Sequence, residues 1–193
     1  MLESNPPAQS TLFMKYTAVV VIYLLTAVLG CGADLKGLRP RPDRTEYAVT
    51  MFNDLLGVAA ELVPAEKVRK LFGSEVDSRY LVVEVGVYPR VKNPIEVRPG
   101  DFAIRVNRTR DIFSPQVPNG ATDLTQSLRS IARELFAKCL PETSTYKPVA
   151  GYLYFPILDR KGNREYELEY KARETWMILP LHAGAAANLV FAK

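Results

Sequence analysis

Few side chains in this sequence are equipped for chemistry. Among its 193 residues there are two cysteines, Cys31 and Cys139, and one histidine, His182. A tetrahedral zinc site draws on four nitrogen, sulfur or carboxylate ligands, and this supply makes one unexpected. Carboxylates offer more. Glu165, Glu167 and Glu169 recur at every second residue and so share one face of a strand with Lys171. Paired carboxylates can serve as acid and base, or hold calcium together with Asp159 and Asn163. The calcium-loop pattern of acidic ligands around an internal glycine is not present. A solvated outer face, with Tyr166, Leu168 and Tyr170 inward, is the expectation. No serine lies in a nucleophile-elbow context, and His182 is followed by the small-residue tail Ala183 to Ala187. The reading is therefore of a chain that is not an enzyme, with no metal and no cofactor.

Binding chemistry is better represented. Arg90, Lys92, Arg98, Arg105, Arg108 and Arg110 are crowded together against Glu96, Asp101 and Asp111. Such a surface can meet phospholipid, lipopolysaccharide or an acidic partner, or can protect a strand edge from pairing. Arg98 and Arg105 are spaced to share one basic surface, and Arg129 and Arg133 fall on the polar face of a predicted helix. Tyr88, Tyr152, Tyr154 and Trp176 can line a groove, but aromatics of a small β domain are expected in its core or on its sheets. Asn107-Arg108-Thr109 fits the glycosylation triplet. A formal charge of +4 is too small for a nucleic-acid partner, which calls for a dense basic face.

The N-terminal region carries the clearest signal. Lys15 precedes an apolar run, Thr17 to Leu29, which stops at Gly30-Cys31. The run is shorter than the ~20 apolar residues that cross a bilayer. A cation, an apolar core and a small residue before the cut make a secretory signal peptide over residues 1–30. Val28-Leu29-Gly30-Cys31 resembles the bacterial lipobox. That resemblance implies that Cys31 is acylated on sulfur, with palmitate-type chains, and becomes the new N-terminus. Residues 1–13 fit no part of a signal peptide, so Met14 is the expected start. Gly32, in place of aspartate, favours the outer membrane in a host that has one. Residues 31–44 read as a lipidated N-terminus and a tether of polyproline character through Arg39-Pro40-Arg41-Pro42. Its cations can lie on anionic headgroups or simply keep a spacer soluble. With Cys31 acylated, Cys139 has no disulfide partner and is expected to be buried.

The elements that position these groups are mainly strands, within a single domain over residues 45–193. Tyr47, Val49 and Met51 alternate in a first strand, and Val58 to Val63 makes a second. Pro64 opens a short helix with Val68, Leu71 and Phe72 on one face, and Gly73 ends it. Arg79 to Tyr88 is the strongest strand: Leu81, Val83, Val85 and Val87 point one way, and Val82, Glu84, Gly86 and Tyr88 the other. Ile95 to Arg98 resumes it after Pro94, and Asp101 to Val106 follows. A long helix spans Asp123 to Leu140, capped by Thr122 or Asp123. Its apolar stripe is Leu124, Leu128, Ile131, Leu135 and Cys139, and Pro141 stops it. Val149 to Ile157, Arg164 to Lys171 and Trp176 to Leu181 return to strand. Without a βαβ rhythm or glycine fingerprint, the pattern predicts an antiparallel sandwich with inserted helices.

Three segments, Arg98-Pro99-Gly100-Asp101-Phe102-Ala103-Ile104-Arg105, Val149-Ala150-Gly151-Tyr152-Leu153-Tyr154-Phe155 and Tyr166-Glu167-Leu168-Glu169-Tyr170, follow the valine-rich strand in that order. The series resembles the telokin-like, immunoglobulin-fold domains of bacterial secreted proteins and lipoproteins. The resemblance covers about residues 79–106 and 149–181, and it departs at the two helices. It implies an immunoglobulin-like β-sandwich with one long and one short inserted helix. The expected role is a non-catalytic binding or interaction module at the cell envelope, joined to the membrane through its N-terminal lipid. The alternative is an assembly subunit of a larger envelope complex, docked to a protein partner through the helix face around Arg129 and Arg133.

Overall fold

The computed structural model describes residues 37–107, 112–116, 126–156 and 164–181, with backbone alone for 126–131. The expected signal peptide, Cys31, the helix cap at Thr122 or Asp123, Arg108, Arg110 and His182 lie outside the described residues.

Two four-stranded antiparallel sheets carry the fold. The first contains β1 (Val49–Phe52), β2 (Leu56–Leu62), β3 (Tyr80–Pro89) and β8 (Val149–Pro156), in the order β1-β2-β3-β8. The second contains β5 (Phe102–Val106), β6 (Ile112–Phe113), β9 (Tyr166–Ala172) and β10 (Thr175–Leu181), in the order β10-β9-β5-β6. A separate ribbon pairs β4 (Ile95–Val97) with β7 (Thr143–Thr145). Strands β2, β3 and β8 are placed as the A, B and E strands of an immunoglobulin sandwich, and β6-β5-β9-β10 as its C′, C, F and G strands. β1 is an added edge strand.

Alternation along β3 explains the layering. Val83, Val85 and Val87 join Val58, Ala60, Leu153 and Phe155 against Phe102, Ile104, Leu168, Tyr170 and Leu179 of the other sheet. This is the core between the sheets, where each large apolar side chain stabilises the fold by about 1.5–3 kcal/mol. Val82 faces outward, with Tyr152 and Tyr154, into a second cluster under the helices. Helix α1 (Ala65–Phe72) supplies Val68 and Phe72, α2 (Ser74–Arg79) supplies Val76, and α3 (Gln126–Ala137) supplies Leu135. The helices therefore cover the outer face of the first sheet.

Several elements differ from the sequence-based expectation. There are two short helices rather than one, because the chain restarts a helix directly after Gly73, whose φ of 89° ends the first. Ile95–Val97 does not resume the β3 sheet but pairs with Thr143–Thr145. Tyr47 is not on the Val49–Met51 face. It precedes the strand, after a 3₁₀ turn over Arg44–Glu46, and packs outward with Ala59 and Tyr88. Helix α3 ends at Ala137, before Cys139 and well before Pro141. Long-range backbone pairing ends it: Leu140 N–H donates to Tyr152 O at 3.0 Å, and Tyr152 N–H to Lys138 O at 2.8 Å.

Residues 37–44, expected in the tether, form a packed strap. Leu38 N–H donates to Ala150 O at 2.7 Å. Gly37 has φ of 60° and is backed by Pro141 and the Ala150 carbonyl, so a side chain there meets both strain and contact. The strap, the 138–140 segment and Gln116, whose N–H donates to Tyr154 O at 2.7 Å, cap successive carbonyls of β8. An edge strand otherwise exposed to pairing with another chain is thereby closed.

Candidate functional site

Closing the β8 edge in pieces leaves space between two of them, the 138–140 segment and Gln116. A cavity of about 250 Å³ opens there, lined by residues that include Pro99, Pro115, Phe136, Cys139, Tyr152 and Tyr154. Its size is just under the ~300 Å³ at which ligand pockets of small molecules begin, enough for a short apolar chain or one ring. The lining is apolar apart from Gln116, Glu142, the Cys139 thiol and the tyrosine hydroxyls.

Burial keeps the Cys139 thiol and the Tyr152 and Tyr154 hydroxyls at the wall neutral. Cys139 is 5% exposed, and its Sγ–H donates to Leu135 O at 3.4 Å. The Tyr154 hydroxyl donates to the same carbonyl at 3.3 Å. Both bonds add to the one that the Leu135 carbonyl, in the last turn of α3, accepts from Lys138 N–H at 3.2 Å. Burial pushes the Cys139 thiol up to about 12. Burial also raises Tyr154, with Cys139 adding to it, and raises Tyr152 to about 12, helped by the Glu84 carboxylate. The thiol is therefore protonated at neutral pH, and a protonated thiol is a poor nucleophile and metal ligand. Among the described residues, no three His, Cys, Asp or Glu side chains come together as a metal site.

Native Cys139 is expected to react with a thiol reagent on the order of a thousandfold more slowly than the denatured chain, as a raised pKa and burial both dictate. Its folded pKa lies above the unfolded one. The stability it contributes is full below the ordinary thiol range near ~8.5 and is lost as pH rises toward about 12. Denaturant titration at increasing pH should show that decline, and rapid native labelling would place Cys139 at the surface.

Of the residues singled out in the sequence, Cys139, Tyr152 and Tyr154 line this cavity, whereas the arginines and the Glu165–Glu169 row are not among its lining. Arg98 lies just before β5 and pairs with Glu96 at 2.7 Å and Glu142 at 3.8 Å. Arg105 stands on the outer face of the second sheet and pairs with Glu169 at 2.7 Å. The two arginines do not meet on one uncompensated basic surface, because each faces its own carboxylates. Glu169 is only 9% exposed and also accepts a bond from Trp176 Nε1 at 2.9 Å. That carboxylate is not solvated as expected; Arg105 and the indole shield it. Leu168 and Tyr170 do point into the core. Tyr88, Tyr152 and Tyr154 are buried, and Trp176 is 62% exposed. Arg133 is exposed on α3, whereas the side chain of Arg129 is outside the described residues.

A second polar centre went unread in the sequence. Arg41 of the strap donates to Glu61 at 2.8 Å and to Glu84 at 3.1 Å, with Lys67 a further 3.7 Å from Glu84. Its guanidinium lies 4.2 Å from the Tyr47 ring centre, and the Tyr88 hydroxyl donates to Arg41 O at 3.0 Å. Burial by itself would lower the Arg41 pKa, but the Glu61 hydrogen bond and the charges of Glu84 and Glu61 raise it. Glu84 in the midst of a valine strand was the available signal, since a carboxylate at such a position demands a cation. This centre is a clasp that fixes the strap.

No family model matches the chain, nor does any curated protein. Among solved structures it is similar to a candidate lipoprotein, ycdA, of Bacillus subtilis, with 19% identity and a TM-score of 0.38. That likeness covers 63% of this chain and 32% of the other, so the chain spans about a third of that structure.

Proposed function

We propose that the chain is a lipid-anchored protein of the bacterial cell envelope whose sandwich is a non-catalytic binding module for a small apolar group. One observation carries the binding reading: the cavity on the β8 edge is apolar, and its one nucleophile-class side chain is a protonated, hydrogen-bonded thiol. Such a site has shape and hydrophobic contact to offer a ligand but no acid–base pair or activated nucleophile. Native mass spectrometry of gently purified protein, with short-chain fatty acids and simple aromatics as added probes, tests it. A bound apolar species is expected, and it should be lost in Phe136→Trp, which fills the cavity from its wall. Binding unchanged by that filling, or turnover of a substrate dependent on Cys139, would overturn the reading.

The anchor reading rests on Cys31 following Gly30 at the end of the apolar run. Each buried methylene contributes about 0.8 kcal/mol, so two or three acyl chains hold a protein on the bilayer essentially permanently. Cys31→Ser is expected to abolish incorporation of labelled palmitate and to release the protein from membranes. Retention of the label in this variant would refute acylation at Cys31.

A further inference from the structure

We infer that one end of the sandwich, the end at which the strap begins, is a membrane-docking surface that rests directly on anionic lipid headgroups; this rests on the acylation of Cys31. The register of the strands defines that end. β3 finishes at Pro89 opposite Leu56, the first residue of β2, and Val87 pairs with Val149, the first of β8. The β1–β2 turn, the end of β3, the approach to β8 and the β9–β10 turn therefore lie together. Hydrogen bonds tie them: Asn53 Nδ2 donates to Thr175 Oγ1 at 3.3 Å, and Arg90 Nη1 to Asn53 O at 2.7 Å. Arg173 reaches across to Glu96 at 3.5 Å.

Three large apolar side chains are exposed at this end: Leu55 at 49%, Tyr146 at 64% and Trp176 at 62%. Only Ile112, among the large apolar residues exposed in the described part, lies elsewhere. Cations stand beside them. Lys147 sits 5.8 Å from the Tyr146 ring centre, and Arg90 5.1 Å from that of Phe52. Among the described residues no carboxylate pairs with Arg90, Lys92 or Lys147. The acids at this end are partly consumed, since Glu96 and Glu142 are engaged by Arg98 and Arg173, and Asp54, Asp101 and Glu174 remain. Aromatic and leucine side chains flanked by unpaired lysine and arginine suit the boundary between headgroups and acyl chains.

The length of the chain outside the described part selects lipid as the occupant. Six residue steps separate Cys31 from Gly37, a reach of about 20 Å at full extension. Gly37 sits against Ala150, the second residue of β8. From Ala150 to Pro156 along the strand is another ~20 Å. The near end meets the bilayer with slack to spare, while the far end would consume the whole reach. An acylated Cys31 thus holds Leu55, Tyr146 and their cations beside the headgroups.

The test uses the full acylated chain in protein-free vesicles of phosphatidylethanolamine and phosphatidylglycerol. Because Cys31 is acylated and Cys139 buried, a fluorophore can be placed selectively through Leu55→Cys, Tyr146→Cys or Ser74→Cys, the last on α2, the helix that leads into β3 at the far end. Labels at Leu55 and Tyr146 are expected to shift to the blue and to be quenched by headgroup-level spin-labelled lipid; the label at Ser74 is not. The shift should weaken in phosphatidylcholine vesicles, in raised salt, and when Arg90→Glu and Lys92→Glu are combined. Equal response at all three positions, or response at Ser74 alone, would overturn the proposal. So would a response seen in native envelopes but not in vesicles, which would assign this end to a protein partner. Failure of the anchor itself is separately visible: the mature N-terminus would lack acyl mass, and the protein would not float with vesicles.

Discussion

Arg41→Ala is expected to destabilise the domain by about 2–3 kcal/mol, below the ~3–5 kcal/mol of a fully buried ion pair because the Arg41 side chain keeps 21% of its exposure. Glu84 has a side-chain exposure of only 9% and shares its face with Glu61, directly opposite on the neighbouring strand. Without Arg41 two carboxylates would confront each other, with Lys67, at 3.7 Å, the cation left in contact. Lys67 is itself half-exposed, and its capacity to move closer keeps the loss below the upper limit. The variant also loses the stacking on Tyr47 and frees the strap. Urea denaturation measures the first effect, and limited proteolysis between Gly37 and Arg44 the second. The double variant Arg41→Ala with Glu84→Gln should recover part of the loss, because it removes the stranded charge. A single variant as stable as the parent, with no new cleavage, would show that the clasp does not hold the strap.

The second large effect is expected at Gly151. A Cβ built there falls within 3.0 Å of the Leu140 and Cys139 backbone, and backbone held by two hydrogen bonds to Tyr152 cannot give way as a flexible side chain would. Gly151→Ala is therefore expected to cost more than about 3 kcal/mol, within the range of severe steric substitutions. The relief available to the structure is to release the 138–140 segment from β8. Cys139 should then label rapidly under conditions where the parent does not, and the apolar cavity should open. Gly57→Ala is the control, since its Cβ would meet neighbours only at an ordinary 3.6 Å. Equal stability of the two variants would contradict the close packing of Leu140 on β8.

Alternation and helical spacing made the larger part of the fold legible. Val83, Val85 and Val87 opposite Val82 and Glu84 required a strand with two covered faces, and both faces are covered. Val68 and Phe72 ahead of Gly73 likewise required a helix with one buried side. These patterns are local, because a period of two or of 3.6 follows from backbone geometry alone. The proposed address rests on equally local features, Lys15, the apolar run and Gly30-Cys31.

Tertiary structure decided what local periods do not encode. Leu38 meets Ala150, Arg41 meets Glu84 and Asn53 meets Thr175. Nothing near Leu38 in the chain signals an unsatisfied carbonyl on β8, so a Pro-Arg segment that reads as a solvated spacer becomes part of the domain. Helix α3 stops at Ala137 for the same reason: the Lys138 carbonyl and Leu140 N–H find partners on Tyr152 rather than along the helix. The cavity is the gap left between segments that each cap one stretch of the β8 edge. The basic, aromatic end likewise exists only because strand register brings Leu55, Arg90, Lys147 and Trp176 to one side. Residue types and short-range periods were determined by the sequence alone; which groups share a site was decided by long-range pairing, since buried backbone and buried charge must find partners wherever the chain supplies them.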